Sequence, residues 1–215
     1  IATGRTNIEI KTIAEAAGIT SFITMNGQYV EIEGKGIYEN KIEQKIVQDL
    51  LTATQAKGDE LGFYTPEEIF VTGHTPVVSA AYEIIHSNIP PIDPEFYLKK
   101  PLNMLLVICE NGDELYKENF PELKFFRNGP SSMDTISKEG SKGHGIRKLI
   151  ETLDYFDVPT YGFGDGPNDV ELLGACDYKI AMGNAVPALK EVADFVTKKN
   201  TEGGIVHALR HYSLI

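Results

Sequence analysis

Pro159-Thr160-Tyr161-Gly162-Phe163-Gly164-Asp165-Gly166-Pro167-Asn168-Asp169 reads as a strand that runs into a tight acidic turn and out into a helix. The β-prone residues over 159–163 favour extended backbone, and Gly164 and Gly166 allow a sharp turn and close approach to a ligand. Val170, Leu172 and Leu173 follow at helical spacing. Two carboxylates and an amide therefore collect at the carboxyl end of a strand, where open parallel sheets bind their ligands. Magnesium takes oxygen ligands and keeps several waters, so one or two carboxylates and a substrate phosphate suffice for it. Asp165, on the turn, is the candidate for direct ligation. Asp169, one helical turn further, is a candidate either for pairing with a lysine or for holding metal-bound water. The alternative is an acidic loop that only caps a helix through Asn168 or Asp169.

Outward from this turn, the chain alternates. A helix from Lys142 carries Ile146, Leu149, Ile150 and Leu153 on one face, a strand is expected over 178–182, and helices over 188–192 and from Ile205. At the other end Ile1-Ala2 resembles the tail of a strand. Thr6 and Glu9 have capping-box spacing for a helix through about residue 17, closed by Gly18, and 20–24 is β-prone. Strand and helix alternating in this way imply parallel strands joined by crossover helices. After Asn26-Gly27 the texture changes. Ile42, Ile46, Val47, Leu50 and Leu51 fall at helical spacing, 77–85 is another helix, and 104–109 and 123–127 read as strands. The fold class expected is α/β: a discontinuous parallel-sheet core over 1–29 and 135–215, with an α+β insert over 30–134. The loops after Ala2, Thr24 and Phe163 are expected to line one crevice.

Composition narrows the partners. The 215 residues are 42% hydrophobic and 24% charged with a formal charge of −11, which excludes the clustered basic surface that nucleic acid selects. The run 104–109 falls far short of the ~20 apolar residues of a membrane helix. Cys109 and Cys176 stand apart and form no Cys-x-x-Cys site, as suits a reducing cytoplasm. An anionic ligand then needs local positive charge. Lys142, in Ser141-Lys142-Gly143, could bring an ammonium to a phosphoryl group, or could be a surface lysine beside flexible glycines. Thr3-Gly4-Arg5, between a strand and a helix, offers a hydroxyl, backbone amides and a guanidinium to an anion. His207 and His211 share the i, i+4 spacing of zinc hydrolases but lack the glutamate of that signature, so they read as a packing or surface pair.

Taken together, Ala2-Thr3-Gly4-Arg5, Asn26-Gly27, Ser141-Lys142-Gly143, the Gly164–Asp169 turn and Ala181-Met182-Gly183-Asn184-Ala185 resemble the Cof-like hydrolases of the haloacid dehalogenase (HAD) superfamily. The insert resembles their type IIB cap. The resemblance implies a Rossmann-like core with an α+β cap, and a magnesium-dependent phosphatase acting on a small phosphorylated metabolite, such as a sugar or nucleotide-like phosphate, through an aspartyl-phosphate. It implies that Thr3, with Gly4 and Arg5, binds the transferring phosphoryl group, and that Lys142 bridges that group and the nucleophile. Asp165 would ligate Mg2+, with Asn168 and Asp169 completing the metal and phosphate environment. Asn26 and Gly27 would lie near the substrate, and Asn184 would support the loop. A phosphomutase or a non-catalytic phospho-ligand-binding module remains an alternative, and a monomer or weak homo-oligomer is expected. Tyr64, His74 and Tyr97 are candidate cap contacts. The family's Asp-x-Asp-x-Thr nucleophile motif does not occur in these residues, so the polypeptide is expected to extend upstream of Ile1 by roughly 30–50 residues, the length of a strand and its crossover.

Overall fold

Thr6 opens the first helix, α1 (Asn7–Ala16): its hydroxyl accepts the Glu9 amide, and the Glu9 carboxylate accepts the Thr6 N–H at 2.8 Å. Ile10 and Ala14, one turn apart, are the residues the helix buries, and Gly18 leaves it at φ 65°. The structure, a computed structural model, describes residues 1–215 and separates into two units, Ile1–Gly140 and Ser141–Ile215.

In the first unit β1 (Ser21–Thr24) meets Ala2 through a parallel bridge at Ile23, and on its other side pairs antiparallel with β2 (Tyr29–Ile32), which pairs with β3 (Lys35–Glu39). Glu33 and Gly34, at φ 50° and 79°, make the reversal between β2 and β3, since two-residue hairpin loops favour positive φ at both positions. The parallel pairing expected of the core is present at the Ala2–Ile23 bridge, whereas β2, which lies almost wholly in the expected 30–134 insert, is returned antiparallel to β1 by the turn at Met25–Gly27. The remaining elements are α2 (Gln44–Lys57), β4 (Glu60–Tyr64), β5 (Ile69–Val71), α3 (Pro76–Ile84), α4 (Phe96–Lys99), β6 (Met104–Ile108), α5 (Asp113–Asn119), β7 (Leu123–Gly129) and β8 (Ser132–Ser137). The five strands form an antiparallel sheet in the order β5-β4-β6-β8-β7.

Every residue of β6 is buried, and strand alternation sends them to two cores. Leu105 and Val107 join Leu50 of α2, Phe96 of α4 and Tyr116 of α5, whereas Met104, Leu106 and Ile108 join Val78 and Tyr82 of α3 together with Met25. The 134/135 boundary read from sequence falls within β8, whose ladder with β6 and β7 runs on to Ser137.

The second unit follows the alternation expected of it: α6 (Lys142–Leu153), β9 (Tyr161–Gly164), α7 (Val170–Leu173), β10 (Tyr178–Ala181), α8 (Pro187–Val192), β11 (Phe195–Val196) and α9 (Gly204–His211). Its sheet is parallel in the order β11-β10-β9. Leu172, Leu173, Ile180, Leu189 and Ala208 supply its core. On α9, His211 stacks on Phe195 at 4.1 Å and His207 Nδ1 lies 3.0 Å from Thr197 Oγ1, so these histidines are engaged in packing. No helix is long and apolar enough to cross a membrane.

Candidate functional site

Lys142 is the first residue of α6, whose N-cap Ser141 accepts the His144 amide through its hydroxyl at 3.0 Å. Glycine at 143 is a steric requirement, because a Cβ there would run into the Glu171 carbonyl. The first turn of α6 can therefore lie against α7. This brings Lys142 Nζ within 2.6 Å of Asp169 Oδ1, with both side chains less than a tenth exposed.

The other oxygen of Asp169 accepts the backbone N–H groups of Asp165 and Gly166 at 2.9 and 3.0 Å. One carboxylate thus neutralises the ammonium and fixes the acidic turn. Gly164 is also required: a Cβ there would lie 2.5 Å from that of Asp169. Asp165 is exposed at the end of β9, with Oδ2 held by Asn184 Nδ2 at 2.8 Å, and Asn184 is itself held by the Asn200 amide. Of the two roles open to Asp169, the lysine pairing is the contact present.

The donor set suits a hard cation that needs few protein ligands. No group of three His, Cys, Asp or Glu side chains converges anywhere in the structure, which disfavours a closed zinc-type cage. An exposed carboxylate at a strand end fits the few protein ligands and retained waters of magnesium.

In the first unit, Thr3 Oγ1 accepts the Arg5 amide at 3.1 Å, which leaves the hydroxyl proton to donate. Arg5 Nη2 donates to the Ile85 carbonyl at 2.9 Å, and Arg5 lines a cavity of about 490 Å³ together with Glu9, Phe70 and Tyr82. Met25, Asn26 and Gly27 stand at φ 49°, 54° and 91° in succession. Their amides grip the Thr3–Arg5 loop: Met25 N–H donates to the Arg5 carbonyl and Asn26 N–H to that of Thr3, each at 2.9 Å. The buried Asn26 side chain donates to Asp134 Oδ2 at 2.8 Å.

Asp134, which the sequence analysis did not single out, is thereby tied to this turn. Its one local signal is a carboxylate at a buried position within the run Ser132-Met133-Asp134-Thr135-Ile136. The candidate cap contacts fare differently. Tyr64 is buried with its hydroxyl 2.7 Å from that of Tyr82, and burial pushes the Tyr64 phenol well above its usual range. It is a core residue. Tyr97 packs on the α2 side of the sheet, and His74 Nε2 is within 2.8 Å of the Pro90 carbonyl.

Comparison with known proteins gives the same answer across the chain. The haloacid dehalogenase-like hydrolase family matches residues 1–209. A Bacillus subtilis protein that bears a provisional phosphatase name, YkrA, is 37% identical over the whole chain and 84% of its own length. A crystal structure of a hypothetical protein from Geobacillus kaustophilus superposes with a TM-score of 0.89 at 35% identity, covering all of this chain and 85% of that one. The HAD subclass IIB sugar phosphatase BT4131 superposes with a TM-score of 0.85 at 29% identity, again over all of this chain and 85% of that one. The motifs, the α/β core with its α+β cap and the match over nearly the whole chain agree: this protein belongs to the haloacid dehalogenase-like hydrolases.

Proposed function

We propose that the chain acts as a magnesium-dependent phosphatase on a small phosphorylated metabolite. Membership of a hydrolase family with phosphatase relatives supports the phosphomonoesterase reading. A sugar phosphatase among its structural neighbours makes sugar phosphates the first substrate class to test and nucleotide-like phosphates the second.

The observation that carries the reading is the buried Lys142–Asp169 pair beneath Asp165 at the end of β9. Two carboxylates and one ammonium leave this loop with one net negative charge. A phosphate dianion approaches such a loop favourably only with a further cation. Asp165 would hold magnesium through the oxygen that Asn184 leaves unengaged, and Asp169 would reach it through water. Bound magnesium supplies positive charge against the phosphoryl oxygens.

The remaining roles belong to the chain's own side chains. Lys142, fixed by Asp169, offsets charge on the transferring group. The Thr3 hydroxyl donates to a phosphoryl oxygen, Gly4 and Arg5 complete that contact, and the Asn168 amide orients the group. Asn26 and Gly27 border the substrate, with segments 1–29 and 135–215 acting as the core and 30–134 as the cap. Attack by an aspartate carboxylate on phosphorus would form an aspartyl-phosphate as the bond to the leaving oxygen breaks, and water would then release phosphate. None of the residues assigned above is that aspartate. The buried thiols Cys109 and Cys176 support a reducing compartment, the cytoplasm.

The deciding experiment measures phosphate release by the full-length protein from a panel of sugar and nucleotide monophosphates, with magnesium and with chelator. Magnesium-dependent turnover of at least one monoester is expected. Transfer to a second hydroxyl without phosphate release would make it a mutase, and binding without either reaction would make it a ligand-binding module.

A further inference from the structure

Asp134 lies in β8, far along the chain from the phosphate-binding loop, yet the two are joined by an unbroken run of hydrogen bonds. Its carboxylate is held at both ends: Oδ2 by Asn26 Nδ2 at 2.8 Å and Oδ1 by Asn128 Nδ2 at 2.6 Å, while Ser132 Oγ fixes the Asn128 amide from behind at 2.8 Å. Asn26 in turn donates its backbone N–H to the Thr3 carbonyl. Gly4 closes the arrangement, because a Cβ at that position would stand 2.9 Å from Asp134 Oδ2 and 3.2 Å from the Asn26 amide nitrogen.

Two non-glycine residues in succession, Met25 and Asn26, occupy left-handed backbone, which is held only where surrounding contacts over-determine it. Stability alone would favour a glycine or a right-handed turn here. The strained turn instead gives Asn26 two tasks at once, gripping the loop with its backbone and reaching the sheet with its side chain.

We propose that Asp134 is a positioning residue for phosphoryl recognition: by holding the Asn26 side chain it sets the left-handed turn, and through it the backbone that carries Thr3. The inference rests on the reading of Thr3 as a phosphoryl ligand. It ties recognition of the phosphate to the five-stranded sheet, so a change in β8 reaches a loop that Asp134 does not itself use to touch substrate.

The test uses the full-length protein with p-nitrophenyl phosphate as substrate and inorganic phosphate as competitive inhibitor, comparing Asp134→Asn, Asn128→Ala and Thr3→Ala with wild type. Asp134→Asn is expected to raise the inhibition constant for phosphate and KM together by about tenfold, with kcat much less affected, the signature of lost ground-state and transition-state binding alike. Asn128→Ala, at an exposed position, is expected to fold normally and to give a smaller shift in the same direction. It decides the matter if Asp134→Asn does not fold. A purely structural role would lower the folded fraction, and so apparent kcat, while leaving the inhibition constant unchanged, and that result overturns the proposal. If Thr3→Ala raises the inhibition constant and neither Asp134→Asn nor Asn128→Ala does, the positioning role is wrong and the Thr3 reading stands. If Thr3→Ala has no effect on it, the Thr3 reading fails and this inference falls with it.

Discussion

Lys142 has one task that the structure shows and one that the proposed function adds, and mutation separates them. Its ammonium neutralises a carboxylate that is itself buried, and removing one partner of such a pair costs about 3–5 kcal/mol because the other charge is left uncompensated. The Asp165 and Gly166 amides still serve Asp169 in the variant, so the lower end of that range is expected for Lys142→Ala in denaturant titration. Lys142→Arg keeps the charge but fits a compact site poorly. Phosphate release should fall in both variants and further in the alanine one; equal rates for Ala and wild type would make Lys142 a structural residue alone. Asp165 is the opposite case. It is exposed, so Asp165→Ala should shift stability by less than about 1 kcal/mol, yet magnesium-dependent turnover should drop by more than about a hundredfold. Activity within about threefold of wild type would remove it from the metal site. The placement of Asp165, Asp169 and Lys142 is legible in the sequence because each sits in a local strand-to-helix turn whose glycines announce it. Asp134 is not, since its partner Asn26 is 108 residues away and no local pattern encodes a contact at that separation.

At the scale of elements, the Arg127–Asp113 pair ties β7 to the first residue of α5, with Nε donating to Oδ2 at 2.7 Å. Hydrogen bonding from Arg127 holds the Asp113 carboxyl below its usual range. A depressed carboxylate contributes stability above its unfolded pKa of about 3.9 and loses it as pH falls through the folded value. Asp113→Asn should therefore destabilise by about 1 kcal/mol at pH 7, a difference that shrinks to nothing at the acid end of a pH series of denaturation curves. An undiminished gap in acid would show that the contribution is packing. The capped, striped helices α1 and α6, and the short helix α7 after the acidic turn, are legible from sequence because their signals are local. Of the five-stranded sheet, the strands read over 104–109 and 123–127 correspond to β6 and β7, whereas β4, β5 and β8 are harder to read. Glycine interrupts β4, Glu60-Leu61-Gly62-Phe63-Tyr64, and β8 is largely polar. β6 is buried on both faces, so alternation cannot distinguish its sides.

For the whole molecule, the two large apolar clusters both belong to the first unit and sandwich its sheet, whereas the second unit rests on a smaller set of buried side chains. Opening free energies follow such differences. In native-state hydrogen exchange the β6 amides should be the last to exchange and those of β9–β11 should go earlier; the reverse order would mean that the small parallel sheet is the more stable part. The proposed function assigns roles to residues of both units, so phosphate release should be lost when either unit opens. The turn at Met25–Gly27 adds a consequence that is chemical and slow. An Asn-Gly pair is the sequence most prone to spontaneous deamidation, because the unhindered glycine nitrogen can attack the asparagine side chain to close a succinimide. Here the Asn26 amide is pinned to Asp134 in a buried site, and the folded chain is protected from this ageing. Once unfolded, it is not. A chain that deamidates there loses ammonia, and water opens the succinimide to aspartate or isoaspartate. Either replaces the amide that met Asp134 with a carboxylate, the latter on a lengthened backbone, so time spent unfolded should steadily erode the fraction of chains able to regain the native turn.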